Sequence, residues 1–548
     1  KNPMTLHVYD ILAHVFLNEK VETCFALLGD ANMNWATRMA DQGCRMIYVR
    51  HEHCAVAAAM AYARKSGKVG VATTTCGPGL TQIVTALPAA VRAKLPMVIF
   101  AGEAPIGRAW YNQAIDQGPI ITATGAAYHA LHSVARMPTQ VRDAFIQAQT
   151  EQRPVVIGVP FDLQDALWRG PSDLPIPSAQ MLPQVGALPP HPNDIEAAAL
   201  RLKNARRIVM MAGLGAVGAA KAIAQLAAKL DALLATSLPA RGLFSQDHFN
   251  IGIAGGFSSQ TARALLGEAD LVLAIGCSLT HHNGDGGKLF GQAHVIQLDL
   301  APSALSQGRK AAQSYVRADA NLGIAALSDM LHARAPNWRT EALAKTIATA
   351  QFDDTPRFPE PKVHDPRDVV AALEKNLPAD WDLVNSSGHC SYYFAHMPSR
   401  PYEKFLTIRE FGAIGNGLAF AMGVAAARPL GTVVLFDGDG SALMHIQELE
   451  TMTRHGLKIV ICVLNDGAYG SEIHKLRADG LNDAGAVFGR PDLAAIARGF
   501  GAQGHQVADL ADLPALIDGI SGVTLLDFPI SDRVASPVMA RAHPHKGY

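Results

Sequence analysis

The chain runs to 548 residues, more than one hydrophobic core can organise, and ordinary domain sizes point to about three or four domains, with three the expectation here. With 49% hydrophobic and 17% charged residues and a formal net charge of −1, it carries no overall field to draw in nucleic acid or an anionic membrane. Seven cysteines (24, 44, 54, 76, 277, 390 and 462), odd in number and without a C-x-x-C pair, argue against a disulfide framework and a structural zinc site, so a reducing, cytoplasmic setting is expected. The longest apolar runs are far shorter than the roughly 20 residues that span a bilayer, and no signal-peptide pattern opens the chain.

From the amino end, short β-branched runs alternate with Ala-rich segments of helical period. MIYV leads to Glu52 and a small-residue helix; VGVATTT, LTQIVTALPAAVRAKL and PMVIFAG then read as strand, helix and strand. This is the βαβ pattern of a parallel sheet. It recurs in three blocks, divided near 165–195 and 335–366 by Pro-rich polar stretches that read as extended linkers. The expected fold is α/β, with three successive open parallel-sheet domains at about 1–165, 190–335 and 366–535. The blocks are not obvious sequence repeats. Open parallel sheets bind ligands at the carboxyl ends of their strands, so polar residues there become the candidates.

In the middle block, MAGLGAVG (211–218) holds only part of a dinucleotide G-x-G-x-x-G pattern, and His281 and His282 follow the strand LVLAIG. HHNGDGGK carries Gly284-Asp285-Gly286, but no strand leads directly into it, and it reads as a turn. In the third block NSSGHCSYY (385–393) follows the strand DLV, and EFGAIGNGLAFAMG (410–423) comes next. TVVLF (432–436) is then a strand ending near Gly438-Asp439-Gly440, residues 442–455 a helix, and IVICVL (459–464) a strand ending at Asn465-Asp466. Asp439 and Asp466 thus project from neighbouring loops on one sheet edge. Two hard oxygen donors and a backbone carbonyl suit Mg²⁺, whose octahedral shell is usually completed by phosphate oxygens and water. The glycines let backbone approach the phosphates.

GDG, a spacer of 24 residues and an Asn-Asp pair together resemble the thiamine-diphosphate motif of the acetolactate synthase, benzoylformate decarboxylase and pyruvate decarboxylase superfamily. The resemblance covers nearly the whole chain. It implies a pyrimidine-binding first domain, a middle domain, and a third domain that binds the diphosphate and Mg²⁺. The metal would be held by Asp439 and Asp466 side chains and the Ala468 carbonyl, with Gly438, Gly440, Ser441 and Tyr469 around the cofactor. Asp466 stands where the superfamily usually has Asn. RHEHCAVAAAMAYAR (50–64) resembles the superfamily's R-H-E-x-x-A-x-x-x-A-x-x-Y-A-R and places Glu52 on its catalytic glutamate, the acid beside the pyrimidine N1′. Alone, Glu52 would read as a helix-start acid favoured by the dipole. The same resemblance assigns Gly77 of the Gly-Pro-Gly loop to the cofactor, Ile414 to the wedge that bends it and Gly412 to a carbonyl facing its amino group. It also makes Ser387, Gly388 and His389 candidates for the loop that grips the diphosphate. In this superfamily Glu52 and the metal motif come from different subunits, so a homodimer is the minimum and a tetramer the expected state.

The shared chemistry is attack on the carbonyl carbon of a 2-oxo acid and loss of CO₂, after which the enamine meets a proton or a second carbonyl. Asp30 and Glu472 fall where pyruvate decarboxylases carry acids that could protonate it. Gln113 or Gln117 resembles the glutamine of acetolactate synthases and benzaldehyde lyase, which favours ligation, while either residue alone would read as a loop amide. His281 and His282 lie close to a benzoylformate decarboxylase histidine. Acetolactate synthases also hold FAD, but their Arg-Phe-Asp-Asp-Arg is replaced here by CSLTHHNGD, so FAD is not expected. The expected function is decarboxylation of a 2-oxo acid with ligation to a second carbonyl. A non-ligating decarboxylase, a hydroxyketone lyase and a cofactor-binding protein without catalysis are the alternatives.

Overall fold

The computed structural model describes residues 6–542, apart from 172, 303–304, 354, 358 and 398–399. Among these residues lie three six-stranded sheets, each parallel throughout. The first contains β1 (Thr23–Ala26), β2 (Arg45–Tyr48), β3 (Gly70–Thr74), β4 (Met97–Glu103), β5 (Ala127–Ala130) and β6 (Pro154–Pro160), in the order 2-1-3-4-6-5. The second contains β7 (Ile208–Ala212), β8 (Leu233–Thr236), β9 (Asn250–Ile253), β10 (Leu271–Ile275) and β11 (His294–Asp299). A hairpin of β12 (Leu305–Ser306) and β13 (Arg309–Lys310) precedes its last strand, β14 (Ser314–Arg317), and the order is 14-11-10-7-8-9. The third contains β15 (Asp382–Asn385), β16 (Phe405–Thr407), β17 (Val433–Gly438), β18 (Ile459–Asn465), β19 (Gln503–Gln506) and β20 (Thr524–Pro529), in the order 16-15-17-18-20-19.

Strand for strand, the third sheet repeats the order of the first, a duplication of architecture without visible sequence repetition. The second sheet follows the dinucleotide-fold order, with its switch point between β7 and β10. The central strands are apolar runs because helices cover both their faces. Val433 to Phe436 and Ile459 to Leu464 are all buried.

The first and third sheets share one core. It forms where the Glu52–Ser66 helix packs along the Gly417–Ala427 helix, both lined with small buried residues. Gly423 is what lets the axes approach: a Cβ there would fall far inside contact distance of the Ala58 carbonyl and 2.8 Å from the Ala61 Cβ. Gly423→Ala should therefore destabilise the protein by about 3 kcal/mol through overpacking against backbone. A denaturant midpoint unchanged from wild type would contradict this packing.

Two expected helices are divided. The segment after β17 forms Asp439–Met444 and Glu448–Arg454 instead of one helix over 442–455. The break falls at His445, whose ring is drawn into a stack with His53 at 5.1 Å and lies 4.9 Å from His51, and at Glu448, which accepts hydrogen bonds from Arg50 N at 3.1 and 3.2 Å. LTQIVTALPAAVRAKL is divided into Pro78–Thr81 and Ala86–Arg92, which puts Pro88 in a first turn, where its missing N–H costs little. Among the described residues no helix is long and apolar enough to cross a membrane.

Candidate active site

At the carboxyl edge of the third sheet, β17 ends at Gly438 and β18 at Asn465, so Asp439 and Asp466 leave adjacent, in-register strands. Asp439 is buried, and its Oδ2 accepts from Gly467 N at 2.8 Å. Asp466 Oδ1 accepts from Ala468 N at 3.2 Å. No ion pair reaches either carboxylate among the described residues. Burial, and then repulsion from Asp466, pushes the Asp439 pKa up to about 9; burial pushes Asp466 up to about 6. Two adjacent carboxylates, Asp439 buried and Asp466 half-buried, with no ion pair to either among the described residues, form a set that a cation would satisfy. No group of three or more His, Cys, Asp or Glu among the described residues could hold a metal. A cation here would therefore take its remaining ligands from carbonyl, phosphate or water, a shell that suits Mg²⁺.

The loop after β15 borders this pair. Gly388 has φ +109°, a conformation open to glycine, and a Cβ on it would lie 3.8 Å from Ile414 Cγ2. His389 is buried and accepts from Ser536 N at 2.9 Å through Nε2. The ring proton therefore sits on Nδ1, on the side of Gly470, where a Cβ would be 3.3 Å from Nδ1 and 2.5 Å from Asp466 Oδ2. Burial and the nearby His474 hold His389 neutral, well below the usual histidine range. Ser387 is buried beside it, Ser441 Oγ accepts from Gly415 N at 2.9 Å, and Ser386 Oγ lies 3.3 Å from Ser441 Oγ. Gly412 has φ +71° and Tyr469 packs edge-on to Phe488 across Gly440. The structure thus gathers Ser387, Gly388, His389, Ile414, Gly438, Asp439, Gly440, Ser441, Asp466, Ala468 and Tyr469 at one sheet edge. It adds Asp437, fully buried, pushed up to about 7 by burial and accepting from Gly438 N at 2.9 Å. The acid directly before the Gly-Asp-Gly run was the signal for it.

The first sheet supplies a second cluster at its own carboxyl edge. Glu52 opens its helix after β2, and its Oε1 would lie 3.4 Å from a Cβ on Gly79, so it borders the Gly77–Gly79 turn. Gln117 is buried with both amide ends engaged: Oε1 accepts from Gly77 N at 3.0 Å, and Nε2 donates to Gly102 O at 3.0 Å and Tyr128 OH at 3.1 Å. Its amide therefore fixes the glycine turn. Gln113 is only half-buried, and its Oε1 lies 3.6 Å from Cys76 Sγ and 3.5 Å from Tyr111 OH. Tyr111 OH also donates to exposed Asp30 at 3.3 Å, a link invisible in sequence because a bent loop makes it. Glu472 lies on an exposed helix face, 3.4 Å from Lys475 Nζ. His281 and His282 lie in a short helix after β10, and both are exposed. Glu472 N donates to Tyr469 O at 2.9 Å, but no side-chain hydrogen bond or ion pair described here joins Glu472, His281 or His282 to either cluster.

Three family models match the chain: the thiamine pyrophosphate enzyme N-terminal TPP binding domain over residues 6–120, the central domain over 195–327 and the C-terminal TPP binding domain over 386–527. Among curated relatives, a "probable acetolactate synthase large subunit" of Methanococcus aeolicus is 28% identical, over 93% of this chain and 90% of its own. The "acetolactate synthase isozyme 2 large subunit" of Escherichia coli K12 is 27% identical over 92% of each chain. A "probable 2-ketoarginine decarboxylase" of Pseudomonas aeruginosa is 28% identical, over 95% of this chain and 94% of its own. Since the three models together match more than two thirds of its residues, the chain belongs to the thiamine pyrophosphate enzyme family and is an enzyme dependent on that cofactor.

Proposed function

We propose that this enzyme decarboxylates a 2-oxo acid and ligates the remaining fragment to a second carbonyl compound, in the manner of the acetolactate synthases it resembles. The observation that carries the proposal is the pair of buried Asp439 and half-buried Asp466, neither in an ion pair among the described residues, beside a glycine-opened loop, a half-site suited to Mg²⁺ and a diphosphate. When bound, thiamine diphosphate supplies a nucleophilic carbon and an electron sink at the substrate carbonyl.

The chain's own residues do the rest. Asp439, Asp466 and the Ala468 carbonyl would hold Mg²⁺. Ser387, Gly388 and the Nδ1–H of His389 would hold the diphosphate, while Ile414 and Gly412 would position the ring system. Glu52 would hold and return a proton at the pyrimidine nitrogen. Gln113, held with Asp30 by Tyr111, faces the substrate, and Gln117 fixes the Gly77 backbone. The name of the Pseudomonas relative, with Asp30 and Glu472 as candidate proton donors, supports simple decarboxylation to an aldehyde as the second reading.

The site is composite between two copies of the chain. Leu28, Met33, Ile106, Trp110 and Ile115 are exposed around the Glu52 cluster, and Met444, Tyr469, Leu481, Val487 and Phe488 around the Asp439 cluster. Apolar rims on two polar clusters are surfaces that a partner subunit would cover. The partners implied are a second copy and a small 2-oxo acid, in a cytoplasmic setting.

CO₂ release from a panel of 2-oxo acids, with product identification with and without an acceptor aldehyde, tests the proposal. CO₂ with a ligated hydroxyketone is expected; aldehyde alone would favour the second reading, and no CO₂ from any acid would overturn both. Asp466→Asn should keep cofactor binding, because the amide retains the oxygen ligand and removes one repulsive charge. Loss of binding in a folded Asp466→Asn protein would show that the charge itself is required.

A further inference from the structure

At the carboxyl edge of the first sheet a line of hydrogen bonds runs inward from the surface. Its outer end is Glu103, the last residue of β4, with the Nε2 of exposed His132 2.6 Å from its Oε2. Glu103 Oε1 accepts the hydroxyl proton of Tyr128, which comes from β5. These two strands are not neighbours, since β6 lies between them. The Tyr128 side chain reaches across β6 at Gly158, where a Cβ would fall on the hydroxyl and 2.5 Å from Glu103 Oε1, so glycine leaves the passage open. Burial, and then the Glu103 charge, raise the Tyr128 pKa, and the hydroxyl keeps its proton.

Inside this pair stands Gln117, and the Tyr128 proton decides which way its amide faces. A carboxylate can only accept, and a phenol has a single proton to give. With that proton committed to Glu103, the Tyr128 oxygen is left as an acceptor for Gln117 Nε2 at 3.1 Å, alongside Gly102 O at 3.0 Å. Both Nε2 protons are used there, and Oε1 must face the Gly77 N–H, 3.0 Å away. A reversed amide would set oxygen against the Gly102 carbonyl and N–H against N–H at Gly77. Beyond Gln117 the line reaches two functional side chains. Gly77 has φ +58°, and a Cβ on it would fall on the Gln113 carbonyl; a Cβ on Gly79 would lie 3.4 Å from Glu52 Oε1. The turn is thus packed between the Gln113 backbone on one side and the Glu52 carboxylate on the other.

We propose that Glu103 and Tyr128 are positioning residues: acting through Gln117, they hold the Gly77–Gly79 turn and so set the spacing between Glu52 and Gln113. This rests on the roles given to Glu52 and Gln113 above and deepens them. Glu52 moves a proton at the pyrimidine nitrogen while Gln113 faces the substrate, so a shift of about 1 Å between them costs up to about 100-fold in rate. The residues assigned to Mg²⁺ and the diphosphate lie in the third domain, and among the described residues no hydrogen bond joins them to this line. Loosening the turn therefore lowers kcat and leaves affinity for thiamine diphosphate with Mg²⁺ unchanged.

Hydrogen exchange at the Gly77 amide, followed in the cofactor-free full chain, reads the turn directly; kcat beside calorimetric cofactor affinity reads its consequence. Tyr128→Phe keeps the ring and removes the acceptor. Gly77 exchange should quicken at least about fivefold, the scale of one lost hydrogen bond, and kcat should fall at least about fivefold with cofactor affinity within about twofold of wild type. Glu103→Leu, which frees the Tyr128 proton, should do the same. Glu103→Gln still offers an oxygen to that proton and should stay within about twofold of wild type on every measure. The double variant Tyr128→Phe, Glu103→Leu should lose no more than either single one, because both act through Gln117. Wild-type exchange at Gly77 in Tyr128→Phe, or wild-type kcat despite faster exchange, would overturn the proposal. So would faster exchange spread equally along β5 and β6, the mark of a loosened sheet, or a Glu103→Gln protein that loses as much as Glu103→Leu. If wild type releases no CO₂ from any 2-oxo acid, the roles given to Glu52 and Gln113 fail, while exchange at Gly77 still decides whether Glu103 and Tyr128 set the turn.

Discussion

Glu52→Gln lowers turnover by at least about 10³-fold, the scale of a lost general acid–base group, while thiamine diphosphate and Mg²⁺ still bind. The amide has the size of the carboxyl and cannot exchange the proton that the proposed role has Glu52 hold and release. The folding consequences are small. Glu52 is the first residue of its helix, where the macrodipole favours an acid, so removing its charge costs only a few tenths of a kcal/mol. The helix itself is held by its alanine-lined contact with Gly417–Ala427. Steady-state rates beside calorimetric cofactor binding check this, and full activity in Glu52→Gln would remove Glu52 from the mechanism.

Asp439→Asn separates function from stability. Affinity for thiamine diphosphate with Mg²⁺ falls at least about 100-fold, because a hard anionic ligand is replaced by a neutral one. The cofactor-free protein becomes more stable. Burial, and then repulsion from Asp466, raises the folded-state pKa of Asp439 far above its unfolded value, so the folded chain binds its proton more tightly. That proton-linked stability is complete below the unfolded pKa and is lost as pH rises through the folded one. Asn carries no such liability. Thermal denaturation of the cofactor-free proteins at pH 8 should give Asp439→Asn the higher Tm, and at pH 4 the difference should vanish. A lower Tm for the variant at pH 8 would contradict a buried carboxylate held without a counter-charge.

Much of this was legible because the candidate site is assembled from strand ends. Once TVVLF and IVICVL are recognised as parallel strands, continuous apolar runs ending in Gly-Asp-Gly and Asn-Asp fix both the elements and the edge on which Asp439 and Asp466 emerge. Glu52 was readable for the same reason. What the linear pattern could not carry was tertiary. The break at His445 arises from imidazole stacking against His51 and His53, which lie almost 400 residues earlier in the chain. The different parts played by Gln113 and Gln117 depend on which amide turns inward to Gly77. The equal strand orders of the first and third sheets follow from long-range pairing that leaves no sequence repeat.

The claim that each active centre is shared between two chains is tested most directly by mixing Glu52→Gln and Asp439→Asn proteins after dissociation and reassociation. Each variant alone should be inactive. Random pairing makes half of the dimers mixed, and one of the two sites in each mixed dimer then holds both Glu52 and Asp439, so the mixture should recover about a quarter of wild-type activity. Recovery near that level supports a site completed by the partner. A mixture that pairs yet stays inactive would show that each chain builds its site alone.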